Sequence, residues 1–278
     1  MNLIHILSSS SGAGKTVWSV GFIRALVDLG IRVAPFKALS DDVEGYNVPN
    51  GKISISALHL IASARLKRDG IYNPVLMIPK ENNLASVWLK GNYLGDVPSL
   101  GRDTYFLEEL GKNKLQLIEK TALECLEKLN NEFDIIVSEG SGSAVDLFIL
   151  NSYDLANNKI ASLAKMIILV ARASKGGCIS NLSGALEYLP SNVKKNLNGI
   201  AINDVRYKFD ELINKGKELA IKNKIEFIGA IPRLTFFDNR ESFPPFSDES
   251  ELDYNELASA IKKHTTFEKL LVNLNLKY

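Results

Sequence analysis

The sequence contains few of the residues that characterise secreted, metal-binding or membrane-spanning proteins. Its 278 residues include only two cysteines, Cys125 and Cys178, and three histidines. These are too few for a disulfide framework or a cluster of His and Cys ligands. The longest apolar runs, such as MIILVA at 166–171, are far shorter than the roughly 20 residues that a membrane-spanning helix needs. Because Met1 is followed directly by a strand-like segment, with no basic start and no cleavage site, we expect a cytoplasmic protein.

An excess of charge of one sign is also lacking. The chain carries 33 Lys and Arg against 32 Asp and Glu, a formal net charge of +1. There is therefore no overall attraction for nucleic acid or for an anionic membrane, and we expect neither as a partner. The hydrophobic fraction of 46% and the charged fraction of 23% are typical of a globular protein.

Short apolar runs alternate with longer segments of helical periodicity. Such an alternation predicts parallel βαβ units and an α/β fold, a doubly wound and mainly parallel sheet with helices on both faces. The predicted strands are 2–7, 31–36, 134–140, 166–171, 198–203 and 225–231, and the predicted helices are 15–29, 103–130, 151–163, 177–189 and 208–223.

Two parts of the chain depart from the alternation. Residues 38–101 are predicted to be an insertion with an acidic loop, a helix at 54–68 and a hairpin. The arms of the hairpin would be VLMI (75–78) and SVWL (86–89). We expect one domain over 1–235 that includes this insertion. Residues 236–278, a polar loop followed by a helix that begins near YNEL, are expected to pack on the same domain.

The segment SSSSGAGKT (8–16) lies between the first predicted strand and the first helix. Gly14, Lys15 and Thr16 match the end of the phosphate-loop pattern G-x-x-x-x-G-K-[ST], with Ser9 at the first glycine position. The helix N–H groups and dipole would favour a polyphosphate, Lys15 would reach the β- and γ-phosphates, and Thr16 would ligate Mg²⁺. The alternative is a serine-rich turn. The predicted nucleotide-binding residues are Ser11, Gly12, Ala13, Gly14, Lys15 and Thr16, in a fold of the P-loop NTPase type.

Position 10 separates this chain from one class of P-loop protein. ATPases of the partitioning and division-site type carry an additional lysine near the start of the loop, where this chain has Ser10. The difference argues against a dimeric ATPase whose lysine reaches across its own interface.

Several stretches resemble, in order, the synthetase domain of cobyric acid synthase, a corrinoid amidotransferase. That domain is grouped with cobyrinic acid a,c-diamide synthase and dethiobiotin synthetase. The resemblance covers residues 1 to about 235. ILVARASKGG (168–177) is similar to ILVADIDRGG in the family, and LNGIAINDVR (197–206) to VKGFIINKFR. The other stretches are SSSSGAGKT…GIRVAPFKA, YNPVLMIPK (72–80), VWLKGNYLGDV (87–97) and FDIIVSEGSGSAVDL (133–147).

The resemblance implies an enzyme that phosphorylates a substrate carboxylate with ATP and Mg²⁺, after which ammonia displaces the acyl phosphate. Glu139, at the carboxyl end of a predicted parallel strand, would meet Mg²⁺ and the γ-phosphate. Lys37 would steady the γ-phosphate or the acyl phosphate, Asn203 would read the adenine edge, and Pro232 would close the adenine pocket. The alternatives are an exposed loop acid, a solvated lysine and a turn-forming asparagine.

The substrate-side stretches depart from the family more than the nucleotide-side stretches do. ALSDDVEG (38–45) replaces a different family sequence, and Lys52 stands where an acidic residue is expected. Asp41 or Asp42 could supply the second Mg²⁺ carboxylate, and we assign Asp42 together with Thr16 and Glu139. A solvated acidic loop is the alternative.

The leading functional hypothesis is an ATP-dependent carboxylate ligase similar to cobyric acid synthase, in cobalamin biosynthesis. The family's glutaminase domain is not found in the chain, so ammonia would be free or would come from a separate glutaminase subunit. A homodimer is expected from the resemblance. One alternative is a dethiobiotin synthetase-like enzyme that phosphorylates a carbamate and closes a ring. The other is a non-catalytic regulatory protein that binds a nucleotide.

Overall fold

A computed structural model of the chain describes residues 1–101, 104–235 and 250–276. Its centre is a six-stranded sheet in the order β12-β11-β10-β1-β9-β2, in which every neighbouring pair is parallel. The strands are β1 (Leu3–Ser8), β2 (Val33–Phe36), β3 (Leu39–Asp41), β4 (Tyr46–Val48), β5 (Gly51–Ile53), β6 (Val75–Lys80), β7 (Leu84–Leu89), β8 (Asn92–Pro98), β9 (Ile135–Glu139), β10 (Met166–Arg172), β11 (Leu197–Val205) and β12 (Glu226–Pro232).

Helices cover both faces of the central sheet. The helices are α1 (Lys15–Val27), α2 (Ile55–Ser63), α3 (Lys112–Glu132), α4 (Asp146–Ile149), α5 (Cys178–Tyr188), α6 (Ser191–Lys194), α7 (Phe209–Asn223), α8 (Ser250–His264) and α9 (Phe267–Leu274). Side chains of a strand alternate between the two faces. Leu3 and Leu7 of β1 belong to the core with α3, α5 and α7, whereas Ile4 and Ile6 belong to the core with α1, α8 and α9. The predicted α/β fold, with its parallel sheet and two helical layers, is confirmed.

The insertion forms a second sheet of four strands in the order β3-β6-β7-β8. The predicted hairpin is confirmed, because β6 and β7 pair antiparallel from Val75 with Leu89 to Lys80 with Leu84. A third antiparallel strand, β8, follows the turn. The predicted helix at 54–68 is shorter than expected, since α2 ends at Ser63 and Arg65 adopts a left-handed φ of 56°.

The predicted helix at 151–163 is wrong. This stretch contains a π-helical turn at Leu155–Lys159 and a 3-10 turn at Ala161–Leu163, and α4 precedes it. The carboxylate of Asp154 accepts a hydrogen bond from the backbone N–H of Asn157 at 2.8 Å, which starts a new turn there. Asn151, with a φ of 54°, breaks any helical continuation from α4. The predicted helix at 103–130 begins later, at Lys112, after Gly111.

The C-terminal part of the described chain packs on α1. A Cβ atom at Gly21 of α1 would lie 2.9 Å from Ile261 Cγ1 and 3.0 Å from Leu257 O, so the two helices approach closely. The buried Arg24 donates from Nη2 to Glu251 Oε1 at 2.7 Å. The single C-terminal helix of the sequence prediction is instead two, α8 and α9, because Thr265 forms a bridge with Gly229. Much of the predicted loop before them lies outside the described residues.

Within residues 1–101, 104–235 and 250–276, no helix has the length and apolar character needed to cross a membrane.

Candidate nucleotide-binding site

Residues 9–14 form the loop between β1 and α1, at the carboxyl edge of the central sheet. Gly12 and Gly14 have left-handed φ angles of 68° and 100°, which favour glycine. A Cβ atom at Gly14 would also lie 1.9 Å from Asn203 Nδ2. Gly14 is the N-cap of α1 and offers no side-chain cap. The first N–H groups of α1 are therefore placed to meet an anion at the helix N-terminus.

A cavity of about 320 Å³ opens against this loop. Its walls come from the loop, from the carboxyl ends of β3, β10, β11 and β12, from the start of α2 and from the segment after β9. Ala13 and Glu139 are buried and do not line the cavity. The sequence-predicted residues that line the cavity are Ser11, Gly12, Gly14, Lys15, Thr16, Lys37, Asn203 and Pro232.

Lys15 links the loop to the segment after β9. Its Nζ donates to Ser8 Oγ at 2.8 Å and to Gly142 O at 2.7 Å. Its side chain is almost fully buried, with 8% exposure. The ammonium group therefore lies at the floor of the cavity, where phosphate oxygens would meet it.

Glu139 is buried at the end of β9, where it holds two other predicted site residues. Its Oε1 accepts from Lys37 Nζ at 2.5 Å and from Thr16 Oγ1 at 3.1 Å. Its Oε2 is buried and has no hydrogen-bond partner. A buried carboxylate oxygen without a partner is costly unless a cation or donor completes it. Hydrogen bonds thus bring Lys37, Thr16 and Glu139 together, and their roles toward phosphate and Mg²⁺ stay predictions.

The residues present fit a magnesium ion. Mg²⁺ prefers oxygen ligands and usually keeps several waters and substrate phosphates as the rest of its shell. The Thr16 hydroxyl and the unpartnered Oε2 of Glu139 are such ligands. No group of three or more His, Cys, Asp or Glu side chains suited to a metal occurs in the described ranges, so such an ion would depend on few protein ligands.

The structure does not bring Asp42 to the cavity wall. Its Oδ2 accepts from the backbone N–H of Ile55 at 2.6 Å, and its Oδ1 from that of Val43 at 2.8 Å. Asp41 lines the cavity instead, and Ser141 Oγ donates to its Oδ1 at 3.4 Å. Asp41 is the last residue of β3, which pairs with β6 in the second sheet. Because the sequence predicts a loop over this stretch, it offered no strand end that could separate Asp41 from its neighbour.

Asn203 and several apolar residues also line the cavity. Asn203 near the end of β11 donates from Nδ2 to Ala13 O at 3.4 Å, so it lies beside the phosphate loop. Pro232 is the last residue of β12. Val17 and Leu234 add apolar surface to the same cavity. An amide beside apolar walls suits a flat heteroaromatic base.

A buried ion-pair cluster, which the sequence did not predict, lies beside Asn203. The Asp204 carboxylate accepts from Arg172 Nε at 2.8 Å, from Arg233 Nη1 at 3.2 Å and from Ser174 Oγ. Burial alone would raise the pKa of Asp204, but the hydrogen bonds from Ser174 and Arg172 and the charges of Arg172 and Arg233 hold it below its usual value. Arg172, Asp204 and Arg233 all line the cavity.

At two positions of this cluster the charges are the reverse of those in the family stretches quoted above. Arg172 stands at the first Asp of ILVADIDRGG, and Asp204 at the Lys of VKGFIINKFR. The two positions lie on neighbouring strands, because Arg172 of β10 pairs in register with Asn203 of β11.

Comparison with known proteins agrees with the geometry. The family model described as "CobQ/CobB/MinD/ParA nucleotide binding domain" matches residues 4–242. A probable cobyric acid synthase of Methanococcus vannielii is 32% identical over 231 residues, which are 82% of this chain and 45% of the relative. A protein of the same description from Archaeoglobus fulgidus is 31% identical over 238 residues, 85% of this chain and 49% of the relative. The chain spans about half the length of these relatives.

Two solved structures share the fold at low sequence identity. The MinD cell division protein of Aquifex aeolicus has a TM-score of 0.51 and 17% identity and covers 98% of both chains. The McdA(D38A)–ATP complex of Cyanothece has a TM-score of 0.52 and 15% identity, with 100% of this chain and 98% of that chain covered.

Proposed function

The chain belongs to the family of CobQ/CobB/MinD/ParA nucleotide-binding domains, and we propose that it is an ATP- and Mg²⁺-dependent ligase similar to cobyric acid synthase. It would activate a substrate carboxylate as an acyl phosphate for amidation. The observation that carries the proposal is the Glu139 carboxylate, which holds both Lys37 and Thr16 and keeps one buried oxygen unpartnered. A protein that only binds nucleotide has no need of this lysine.

The residues divide the work between holding and transferring the phosphoryl group. The loop N–H groups and Lys15 hold the β- and γ-phosphates. Thr16 and Glu139 would hold Mg²⁺, which would neutralise charge on the transferring group. Asp41 supplies a further carboxylate at the same cavity. Lys37 Nζ turns from Glu139 toward the oxygens of the transferring phosphoryl group, since phosphoryl transfer depends mainly on positioning and charge neutralisation.

The reaction has two displacements. A carboxylate oxygen forms a bond to the γ-phosphorus, while the bond to the β-bridging oxygen breaks and ADP leaves. Ammonia then forms a bond to the acyl carbon, the acyl–oxygen bond breaks, and phosphate leaves with the proton from nitrogen. The identity of the carboxylate remains a prediction. So do the source of ammonia, which is either free ammonia or a separate glutaminase subunit, the homodimer and the cytoplasmic location.

Relatives described as probable cobyric acid synthases support a corrinoid carboxylate as the first substrate to try. Ser10 continues to argue against the partitioning type of ATPase, because that type has a lysine at this position. The dethiobiotin synthetase-like reaction uses the same phosphoryl transfer with a carbamate as the acceptor. A panel of substrates therefore distinguishes it from the amidation of a carboxylate.

The test combines binding with turnover. Calorimetry with Mg²⁺-ATP is run on the wild type, Lys15→Ala and Glu139→Gln, with Lys215→Ala of the exposed face of α7 as the matched lysine control. Phosphate release is then measured with ammonium and a panel that includes corrinoid and diaminononanoate-type acids. We expect Lys15→Ala to lose binding and Glu139→Gln to lose carboxylate-stimulated release. Tight binding with no stimulated release from any acid would instead indicate a nucleotide-dependent regulator.

A further inference from the structure

The segment 140–143, which follows β9, borders the nucleotide cavity and is neither helix nor strand. Ser141 and Gly142 line the cavity. The carbonyl oxygen of Gly142 accepts from Lys15 Nζ at 2.7 Å and from Ser8 Oγ at 3.2 Å. The position of the Lys15 ammonium group therefore depends on where an irregular segment places one carbonyl oxygen.

One side chain, that of Asn157, holds the segment on either side of Gly142. Its Oδ1 accepts from the backbone N–H of Ser141 at 3.1 Å. Its Nδ2 donates to Ser141 O at 2.6 Å and to Ser143 O at 3.2 Å. A side-chain amide has two donor hydrogens and an acceptor oxygen, so a single amide can bind the backbone both before and after Gly142.

The Asn157 amide also packs closely against the start of the segment. A Cβ atom at Gly140 would lie 1.9 Å from Asn157 Oδ1, so a larger residue there would displace the amide. Asn157 is buried, with 2% exposure, and Ser141 is buried as well. Such a contact keeps its geometry, because breaking it would leave buried polar groups without partners.

The backbone around Asn157 has an uncommon conformation of its own. Asn157 lies in the π-helical turn at Leu155–Lys159. The backbone hydrogen bonds of this turn span five residues, as from Lys159 N–H to Asp154 O at 3.0 Å. The Asp154 carboxylate accepts from the backbone N–H of Asn157. Single π-helical turns are rare and are found frequently at functional sites, so this turn agrees with a role for Asn157 beyond packing.

We propose that Asn157 is a positioning residue of the nucleotide site. Its amide fixes the Gly142 carbonyl, and that carbonyl holds the Lys15 ammonium group where the phosphates arrive. Lys15 then meets the nucleotide without a prior rearrangement of the segment, which lowers the cost of binding. The inference rests on the proposed role of Lys15 in phosphate binding and does not depend on the carboxylate or on amidation. Because such a lysine reaches the β- and γ-phosphates, Asn157 should matter for ATP and not for AMP.

The first experiment compares the affinities for ATP and AMP. The variants are Asn157→Ala and Asn157→Asp, whose ionised side chain keeps the shape of the amide without its N–H donors. Calorimetry with Mg²⁺-ATP measures one Kd, and saturation-transfer NMR with AMP measures the other. We expect the Kd for ATP to rise about tenfold, as for the weakening of one hydrogen bond from a charged group, while the Kd for AMP stays unchanged.

Asn198→Ala is the matched control. Its Oδ1 also accepts from a backbone N–H, that of Ile167 at 3.0 Å, but at the start of β11, which is the opposite edge of the sheet from the nucleotide site. This variant should leave both Kd values unchanged. Equal losses for ATP and AMP in the Asn157 variants would indicate a merely structural role and overturn the proposal, as would affinities equal to those of the wild type.

Lys15→Ala separates this inference from the proposed function. If Lys15→Ala loses the preference for ATP over AMP and the Asn157 variants keep it, the positioning role fails and the phosphate role of Lys15 stands. An unchanged preference in Lys15→Ala would contradict both.

The second experiment needs no variant. Amide hydrogen exchange of the wild-type protein is followed in peptides that contain Ser141. We expect slow exchange at the Ser141 N–H before any nucleotide is added, because Asn157 Oδ1 accepts from it in a buried place. Exchange as fast as in an unfolded peptide, with protection only after Mg²⁺-ATP is added, would show that the nucleotide orders the segment and would overturn the proposal.

Discussion

At the scale of single residues, the two oxygens of the Glu139 carboxylate have different surroundings. Oε1 is shared by Lys37 and Thr16, and Oε2 is buried without a partner. The charge of Lys37 is therefore balanced by one carboxylate in a site that is nearly closed to water. Removal of either partner leaves a buried charge uncompensated, which costs more than the pair itself contributes.

We expect Glu139→Leu or Lys37→Met alone to lower the free energy of unfolding by roughly 3–5 kcal/mol, as measured for broken buried pairs. The double variant Lys37→Met/Glu139→Leu should lose less than either single variant. Urea denaturation followed by circular dichroism measures all three. Simple addition of the two single effects would contradict the pairing.

Asp41 and Asp42 give a second test at this scale. Asp41→Asn should raise the Mg²⁺ concentration needed for half-maximal nucleotide binding, because its carboxylate lines the cavity. Asp42→Asn should leave the Mg²⁺ requirement unchanged and cost about 1 kcal/mol of stability, because a neutral amide is a weaker acceptor for the backbone N–H of Ile55 at the start of α2. Calorimetric titration with nucleotide at several Mg²⁺ concentrations distinguishes the two variants. The opposite pattern would return the metal assignment to Asp42.

At the scale of elements, the site depends on where neighbouring parallel strands end. β10 and β11 place Arg172 and Asp204 side by side, although the two residues are 32 positions apart in the chain. Arg233, just after β12, approaches the same carboxylate. Three strand ends are thus fixed relative to one another beside Asn203, which contacts the phosphate loop.

This arrangement predicts rescue by charge exchange. Arg172→Asp and Asp204→Lys should each weaken nucleotide binding at least about tenfold, since each leaves like charges facing one another in a buried place. The double variant Arg172→Asp/Asp204→Lys should recover part of the affinity, because it restores the opposite-charge pair of the family stretches. Recovery stays partial, since position 204 has a φ of 57°, which disfavours lysine. A double variant as weak as the worse single one would refute a pairwise role.

At the scale of the whole molecule, the free energy of unfolding depends on a titratable side chain in the central sheet. His5 lies in β1, fully buried, with Nδ1 2.6 Å from Ser138 Oγ. Burial, assisted by the charge of Lys15 and opposed by a backbone hydrogen bond with Ala156, lowers the pKa of His5 to about 3. The unfolded chain binds a proton at this residue below its ordinary pKa near 6.5, whereas the folded protein does not. Stability from His5 is complete above pH 6.5 and is lost as the pH falls toward 3.

We therefore expect the free energy of unfolding to fall with decreasing pH between 6.5 and 3, by up to about 1.4 kcal/mol per pH unit from His5. Burial raises the pKa of Asp154 to about 6, so this residue acts in the opposite sense and stabilises the fold as the pH falls below 6. His5→Gln should flatten the acid side of the profile, and Asp154→Asn should steepen it. Urea titrations at several pH values measure both slopes, and unchanged slopes would exclude these groups.

The central sheet could be predicted because its strands are continuous apolar runs separated by helices, a local pattern. The phosphate loop could be predicted because its residues are contiguous. The irregular turns at 151–163 could not, since Asp154 caps a new turn at Asn157 and the Asn157 side chain bonds to Ser141, 16 residues away, which helical periodicity does not reveal. The Arg172–Asp204 pair could not, because it joins two strands and is visible only when their register is known. Residue roles taken from the resemblance remain predictions until they are measured.

A second cavity, of about 310 Å³, shares Ser11 of the phosphate loop with the nucleotide cavity, and this common wall has a thermodynamic consequence. If nucleotide on one side of the loop changes the affinity for a ligand on the other side by some factor, that ligand must change the affinity for nucleotide by the same factor. Coupling across one loop can therefore be measured from either side, with either ligand held saturating.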